Sequence, residues 1–178
     1  MTRIEEFQPY MDVIRAAKIF RILSSAELEG LLAVADIVQY DADEAIIIQG
    51  DVGQHFFVVI SGSVDVSTQE SGDQPYVLSH LKAGDIFGEA AIFLREERSA
   101  TVTSAEETVM LRIDRKDMMD YIRRNPEAGN KILMVIILSL FTKLRAVNQE
   151  FIFEKQSEVD YSYVDSLVEE FMTKGRPG

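Results

Sequence analysis

Five residues of one short stretch have the chemistry to bind an anion that is joined to a sugar. Gly88 has no Cβ, so a ligand can approach the backbone closely there. Glu89 and Ala90 begin a predicted helical turn, whose first N–H groups have no intrahelical acceptor and can donate to an anion. Arg98 adds a planar fork of donors suited to phosphate oxygens, and Ser99 adds a hydroxyl. The Glu89 carboxylate accepts hydrogen bonds instead, and a sugar hydroxyl can donate one.

The stretch that contains these residues, 87–102, opens with Phe-Gly-Glu and closes with Arg-Ser-Ala before a β-favouring run. It resembles the phosphate-binding cassette of the cyclic nucleotide-binding domain family. The resemblance implies that Glu89 holds the ribose 2′-hydroxyl and that Arg98 pairs with the cyclic phosphate. It also implies that Ser99 and the backbone N–H groups of Glu89 and Ala90 complete the phosphate site.

Both charged residues also have an explanation that needs no ligand. Arg98 could form a surface salt bridge with Glu96 or Glu97. Glu89 could stabilise a helix N-terminus, where a carboxylate is favoured. We prefer the ligand site because the two residues occur together, in the order and register of the cassette.

The elements that must position the cassette begin with a segment of predicted helices, 1–36. Its apolar residues recur with the spacing of a helix face from residue 7 onward. Ser24 or Ser25, followed by Glu27, is a capping signal for the last helix of this segment.

The region 37–113 is predicted to consist of strands. Its β-favouring runs are 46–48, 56–60, 64–66, 76–78, 102 and 109–111. Glycine-containing turns separate them at 50–53, 61–63, 71–73 and 83–85. Many short strands with such turns favour a jelly-roll or barrel. Gly50 and Gly53, which also resemble a signature of the same family, are expected to be structural.

Three apolar strand residues, Val64, Leu78 and Leu81, have two interpretations. The family resemblance implies that they line the pocket beneath the purine and the ribose. Without a ligand they would be ordinary core residues, and the sequence leaves both interpretations open.

The segment 114–154 is predicted to contain a hinge and a long helix. Asp114 is the predicted N-cap of a first helix, which Asn125 ends and Pro126 follows as the start of the second. The second helix has apolar residues in coiled-coil spacing at Leu133, Ile137, Leu140, Leu144, Val147 and Phe151. Another stripe on this helix, predicted to pack on the strands, consists of Ile132, Ile136 and Phe141. Because the seam needs a cover, we predict a homodimer through residues 133–151.

The long helix resembles the dimer helix of bacterial cAMP-receptor-type proteins, in which a Thr-Ser pair reaches the adenine. The aligned positions here hold Lys143 and Leu144, so Thr142 and Lys143 are the candidates for contact with the ligand. Residues 155–178 are predicted to form one amphipathic C-terminal helix and are too few for the helix-turn-helix DNA-binding domain of those proteins. We expect this helix to pack on the dimer or to meet an unknown protein partner.

Composition opposes several other classes of function. The net charge of −12 has the wrong sign for nucleic-acid binding. The chain has no cysteine, and its two histidines, His55 and His80, lie in separate predicted strands, so we expect no metal, no cofactor and no enzymatic activity. No apolar run approaches the ~20 residues that span a bilayer, and the first residues lack a secretory signal. We therefore expect a cytoplasmic protein without membrane contact.

The predicted fold is α+β, mainly β: an antiparallel jelly-roll or β-roll flanked by N-terminal helices, a long C-terminal dimer helix and a short terminal helix. The predicted function is that of a stand-alone cyclic-nucleotide sensor, which binds cAMP in preference to cGMP and rearranges its C-terminal helices to control a protein partner. Two alternatives stay open. The chain could be a ligand-independent dimerisation or docking module with a vestigial cassette, or it could bind another cyclic nucleotide such as a cyclic dinucleotide.

Overall fold

Strands form the centre of the part of the chain that the computed structural model describes, residues 1–4, 6–69 and 75–157. They are β1 (Thr2–Ile4), β2 (Ala35–Tyr40), β3 (Ala45–Ile47), β4 (His55–Ser61), β5 (Ser63–Thr68), β6 (Tyr76–Lys82), β7 (Ile86–Phe87), β8 (Thr101–Ser104) and β9 (Thr108–Asp114). One sheet has the order β1-β2-β9-β4-β7 and the other β3-β8-β5-β6. Every pairing within them is antiparallel, which confirms the predicted α+β fold of mainly β structure.

Helices precede, interrupt and follow the strands. They are a 3₁₀ turn (Gln8–Tyr10), α1 (Met11–Ala16), α2 (Ser25–Leu32), α3 (Ala90–Phe93), α4 (Arg115–Arg124) and α5 (Pro126–Ser157). The chain divides into two units, Met1–Ile137 and Leu138–Gly178, and α5 runs from the first into the second. Side chains are described up to residue 145. Among the described residues, no helix has the length and apolar character needed to cross a membrane.

The apolar run of β4 is explained by burial of the strand on both faces. Phe56, Val58 and Ile60 belong to a core cluster that includes residues of α1, α2, α4 and α5. Phe57 and Val59 point to the opposite face and belong to a second cluster, between the two sheets. A strand covered on both faces has no need of alternating polar residues. Each of these fully buried side chains stabilises the fold by roughly 1.5–3 kcal/mol relative to exposure.

The first helix signal in the sequence is confirmed at Ser24, the N-cap of α2. The Ser24 hydroxyl accepts from the Glu27 N–H at 3.3 Å, and the Glu27 carboxylate accepts from the Ser24 N–H at 2.6 Å. The same carboxylate accepts two hydrogen bonds from Lys131 Nζ, at 2.8 and 2.9 Å. In addition, the Tyr121 hydroxyl donates to the Glu27 carbonyl at 2.6 Å. This cap therefore ties α2 to α4 and α5.

The second helix signal is confirmed as well. Asp114 caps α4, because its side chain accepts from the Lys116 N–H at 2.7 Å. Asn125 ends α4, and Pro126 begins α5. Of the stripe predicted to pack on the strands, Ile132 and Ile136 are fully buried, but Phe141 is 60% exposed. Phe141 lies five positions after Ile136, which turns it about 140° around the helix from the buried face.

Other departures from the sequence expectations are short. Within 1–36, which was predicted to be helical, residues 2–4 form β1 and pair with β2. The two-residue strand β7 pairs with β4 and had no signal of its own. The long helix ends at Ser157 rather than 154. The predicted turn at 71–73 and the part of the predicted C-terminal helix beyond Ser157 lie outside the described residues.

Candidate ligand-binding site

The cassette begins where β7 ends, at the edge strand of the five-stranded sheet. Phe87 pairs with Phe57 of β4 in the sheet register, and the two rings stack with centroids 4.9 Å apart and an angle of 8° between them. Gly88 follows with a φ of +74°, which L-residues rarely adopt. Glu89 is the residue before α3, the predicted helical turn, which Leu94 ends. Packing of two aromatic rings thus fixes the entry to the cassette.

Gly88 is required by its surroundings as well as by its backbone. A Cβ built on it would lie 2.8 Å from the His55 carbonyl oxygen and 3.1 Å from Arg98 Nη1. The first of these contacts is with main chain and cannot move easily. A side chain here would separate the cassette from β4.

Arg98 is held at the other end of the cassette by main-chain hydrogen bonds. Its N–H donates to the Asp51 carbonyl at 2.8 Å, and its carbonyl accepts from the Gly50 N–H at 2.9 Å. Its guanidinium Nη2 donates to the His55 carbonyl at 2.8 Å, and Nη1 lies 3.5 Å from the Gly88 carbonyl oxygen. The turn that carries Gly50 and the strand β4 therefore both position this side chain.

The electrostatic setting of Arg98 combines burial with a nearby carboxylate. The residue is half-buried, and burial lowers the pKa of its guanidinium, whereas the negative charge of Glu89 raises it. Glu89 itself is only 7% exposed. Within the described residues, Arg98 makes no ion pair with Glu96 or Glu97, the surface partners that the sequence allowed. A cation and a carboxylate thus share one end of the sheet, the combination expected for a phosphate and a sugar hydroxyl.

The remaining cassette residues lie close to these two in sequence. Ser99 is exposed beside Arg98. At the start of α3, the N–H groups of Ala91 and Ile92 donate to the carbonyls of Gly88 and Glu89, both at 3.1 Å. The N–H groups of Glu89 and Ala90, which precede them, are the ones predicted to donate to an anion. Their role stays a prediction.

The three predicted pocket residues on the strands differ in exposure. Val64 of β5 is fully buried in the cluster between the sheets, which also contains Phe57 and Phe87. Leu81, its register partner on β6, is half-buried against the same cluster. Leu78 is 44% exposed, at a register shift between β5 and β6. Only Leu78 and Leu81 present apolar surface that a ligand could cover.

The two predicted contacts on the long helix lie in the second unit of the chain. Thr142 is exposed, and its hydroxyl donates to the Leu138 carbonyl at 2.9 Å within α5. Lys143 is half-buried. Their contact with a ligand stays a prediction.

Sequence reasoning missed the part that His55 and Gly53 play beside Arg98. The His55 carbonyl accepts the shortest hydrogen bond of the guanidinium, and Gly53 lies against the same group. The pair of glycines at 50 and 53 was a visible signal of a turn. It could not show which distant side chain packs against that turn. Both histidines lie on strands, as predicted, and the described residues contain no group of three or more potential metal ligands.

The family model for the cyclic nucleotide-binding domain matches residues 37–125, half of the chain. This match includes most of β2, all of β3 to β9, the cassette and α4. The chain therefore belongs to the cyclic nucleotide-binding domain family.

Relatives with known names are similar over part of their length. The cyclic AMP receptor protein of Thermus thermophilus is 29% identical over 123 residues, which are 69% of this chain and 57% of that protein. The cAMP-dependent protein kinase regulatory subunit of Dictyostelium discoideum is 33% identical over 143 residues, 73% of this chain and 43% of that protein. This chain thus spans about half the length of these curated relatives.

A solved structure supports the fold. The cyclic nucleotide-binding domain from Methylobacillus flagellatus superposes with a TM-score of 0.73 and covers 83% of each chain. Its sequence identity of 20% limits the comparison to the fold.

Proposed function

We propose that this chain is a cyclic-nucleotide sensor that binds cAMP, in preference to cGMP, at the cassette. Arg98 pairs with the cyclic phosphate, Glu89 accepts a hydrogen bond from the ribose 2′-hydroxyl, and Ser99 adds a donor. The role is one of binding and regulation, without catalysis. Support comes from the family to which the chain belongs and from the names of its relatives, a cyclic AMP receptor protein and a cAMP-dependent kinase regulatory subunit.

The observation that carries the proposal is the setting of Arg98. Its guanidinium is half-buried, and its hydrogen-bond acceptors are the main-chain carbonyls of His55 and Gly88. Neutral carbonyls orient a cation without neutralising it. A phosphate oxygen would accept a short, charge-assisted hydrogen bond from this cation.

The proposed output is a rearrangement of the C-terminal helices. A ligand shifts a conformational equilibrium only if it binds one state more tightly than the other. Thr142 and Lys143 on α5 are the proposed residues that contact the ligand in one state alone. The change would then be transmitted to a protein partner.

We also propose that the chain acts as a homodimer through residues 133–151. Support comes from the exposure of three residues of the predicted seam on α5. Ile137, Leu140 and Leu144 are 49%, 44% and 55% exposed. Apolar side chains at this spacing gain stability when a second helix covers them.

The experiment is calorimetric titration of the protein with cAMP, cGMP and linear 5′-AMP. We expect one cyclic nucleotide to bind with a dissociation constant in the micromolar range or lower, and 5′-AMP to bind much more weakly. Arg98→Ala should weaken binding at least about a hundredfold, because it removes charge-assisted hydrogen bonds to the phosphate.

Arg95→Ala is the matched control, because Arg95 is exposed in the same cassette and carries the same charge. We expect it to change the affinity less than about twofold. Absence of heat with every cyclic nucleotide would contradict the sensor and favour the dimerisation or docking module. Equal effects of the two arginine variants would contradict the role assigned to Arg98.

A further inference from the structure

The turn before β4 contains two glycines, which are required for different reasons. Gly50 has a φ of +87°, and a Cβ built on it would meet no atom within 4 Å. Gly53 has no such backbone requirement, because its φ lies outside the left-handed region. Its Cβ would instead collide with the side chain of Arg98. The space that Gly53 leaves open is therefore occupied by the guanidinium.

The distances show which part of the guanidinium fills this space. The Cβ would lie 2.3 Å from Nε, 2.5 Å from Nη2 and 2.7 Å from Cζ. If the Cβ lay above the face of the guanidinium, Cζ would be its nearest atom. Because Cζ is instead the farthest of the three atoms, the Cβ would lie at the edge formed by Nε and Nη2. Along this edge Nη2 also donates to the His55 carbonyl, two residues after Gly53. The turn thus holds one edge of the group, and Nη1 is left at the end nearest Gly88.

We propose that Gly53 is a positioning residue of the phosphate site, whose missing side chain provides the space in which the Arg98 guanidinium is oriented toward the ligand. The inference rests on the proposed function, since it assigns Arg98 to the phosphate. An alanine at position 53 displaces the guanidinium from the His55 carbonyl. The fold tolerates the change, because the atoms displaced are the far end of a flexible side chain.

The first test compares Gly53→Ala with Gly84→Ala. Gly84 lies in the turn that precedes β7, with a φ of +90° and only Ala17 Cα within 4 Å of its Cβ position. Gly53→Ala is expected to weaken cAMP or cGMP binding about tenfold without lowering the unfolding temperature. Gly84→Ala is expected to lower the unfolding temperature and to bind with wild-type affinity. Wild-type affinity in Gly53→Ala would overturn the inference.

A double-mutant cycle tests whether Gly53 acts through Arg98. In an Arg98→Lys background, Gly53→Ala should reduce the affinity further by less than about twofold, because lysine has no planar guanidinium to displace. A further tenfold loss in that background would show that Gly53 acts by another route and would overturn the inference.

A readout without ligand separates this inference from the proposed function. The Arg98 Nε–H signal in an NMR spectrum, assigned by its loss in Arg98→Lys, should shift in Gly53→Ala and stay in place in Gly84→Ala. If the wild-type protein binds no cyclic nucleotide, the proposed function fails, and a shifted signal still supports the positional claim. An unchanged signal in Gly53→Ala overturns it in either case.

Discussion

At the scale of single residues, main-chain carbonyls orient the arginine side chain of the cassette. The carbonyls of His55 and Gly88 orient the Arg98 guanidinium, and the Asp51 carbonyl accepts its backbone N–H. Because these acceptors are uncharged, they orient the guanidinium without neutralising its positive charge. A carboxylate in their place would compete with a phosphate for the same donors.

The imidazole of His55 is expected to make the stability of the fold depend on pH. Burial lowers the pKa of its imidazole below the ordinary value of 6.5, and the charges of Arg112 and Arg98 act in the same direction, against Asp114. Just below pH 6.5 the imidazole therefore binds a proton in the unfolded chain but not in the folded chain. We expect the free energy of unfolding to fall as the pH is lowered from 6.5, until the folded imidazole is protonated as well.

The measurement is urea unfolding of the wild type and of His55→Gln at pH 7.5 and at pH 5.5. The variant should lose less stability between these values, and its cassette should survive because Arg98 bonds to the His55 main chain. His80→Gln is the control, since it leaves His55 in place. An equal loss in wild type and His55→Gln would show that burial of His55 is not the cause.

At the scale of elements, one capping residue connects two helices whose contacting residues are 104 positions apart in the sequence. Glu27 closes the cap of α2 and accepts two hydrogen bonds from Lys131 on α5. The side chains of Glu27 and Lys131 are 17% and 31% exposed, so the contact is partly shielded from solvent. An N-cap alone contributes about 1 kcal/mol. Here the same carboxylate also links α2 to α5.

Removal of Lys131 should weaken this connection. Its hydrogen bond, followed by that of the Ser24 N–H, lowers the pKa of Glu27 below the ordinary value of 4.5. The contribution to stability is thus complete above pH 4.5 and is lost as the pH falls through the lowered value. Lys131→Gln is expected to be less stable than wild type at neutral pH, and to lose less on acidification.

Lys116→Gln is the matched control for this prediction. Lys116 pairs with Asp120 at 3.5 Å on the exposed side of α4, where a salt bridge contributes little. Chemical unfolding at pH 7 and pH 3.5 measures both variants. If they lose equal stability at pH 7, the link between α2 and α5 does not stabilise the fold beyond an ordinary surface pair.

At the scale of the whole molecule, the long helix has apolar side chains on two sides. Ile132 and Ile136 are buried in the core of the first unit, whereas Leu140 and Leu144 remain exposed. A helix with a second apolar face needs a second partner. In the proposed homodimer, another copy of the chain would supply an identical seam by two-fold symmetry.

The corresponding prediction concerns the oligomeric state. Leu140→Glu combined with Leu144→Glu places like charges on the seam, so the mass measured by light scattering should fall from that of two chains to that of one. Val77→Glu is the control, since Val77 of β6 is 50% exposed but outside the helix. A wild type that is monomeric at about 100 μM would contradict the homodimer.

The elements whose signals are local could be predicted from the amino-acid sequence. The capping box at Ser24 and Glu27, the cap at Asp114 and the start of α5 at Pro126 depend on residues a few positions apart, and the structure has each of them. The cassette could be recognised for the same reason, because its glycine, carboxylate and arginine lie within one stretch.

Contacts between segments that are distant in sequence depend on the tertiary structure. β1 and β7 exist because β2 and β4 offer them hydrogen-bond partners, and neither has enough residues to carry a periodic signal. The same applies to Gly53. A side chain at this position would collide with Arg98, which lies 45 positions further along the chain. Spatial contacts of this kind follow from the packing of the sheet, and no local pattern of residues encodes them.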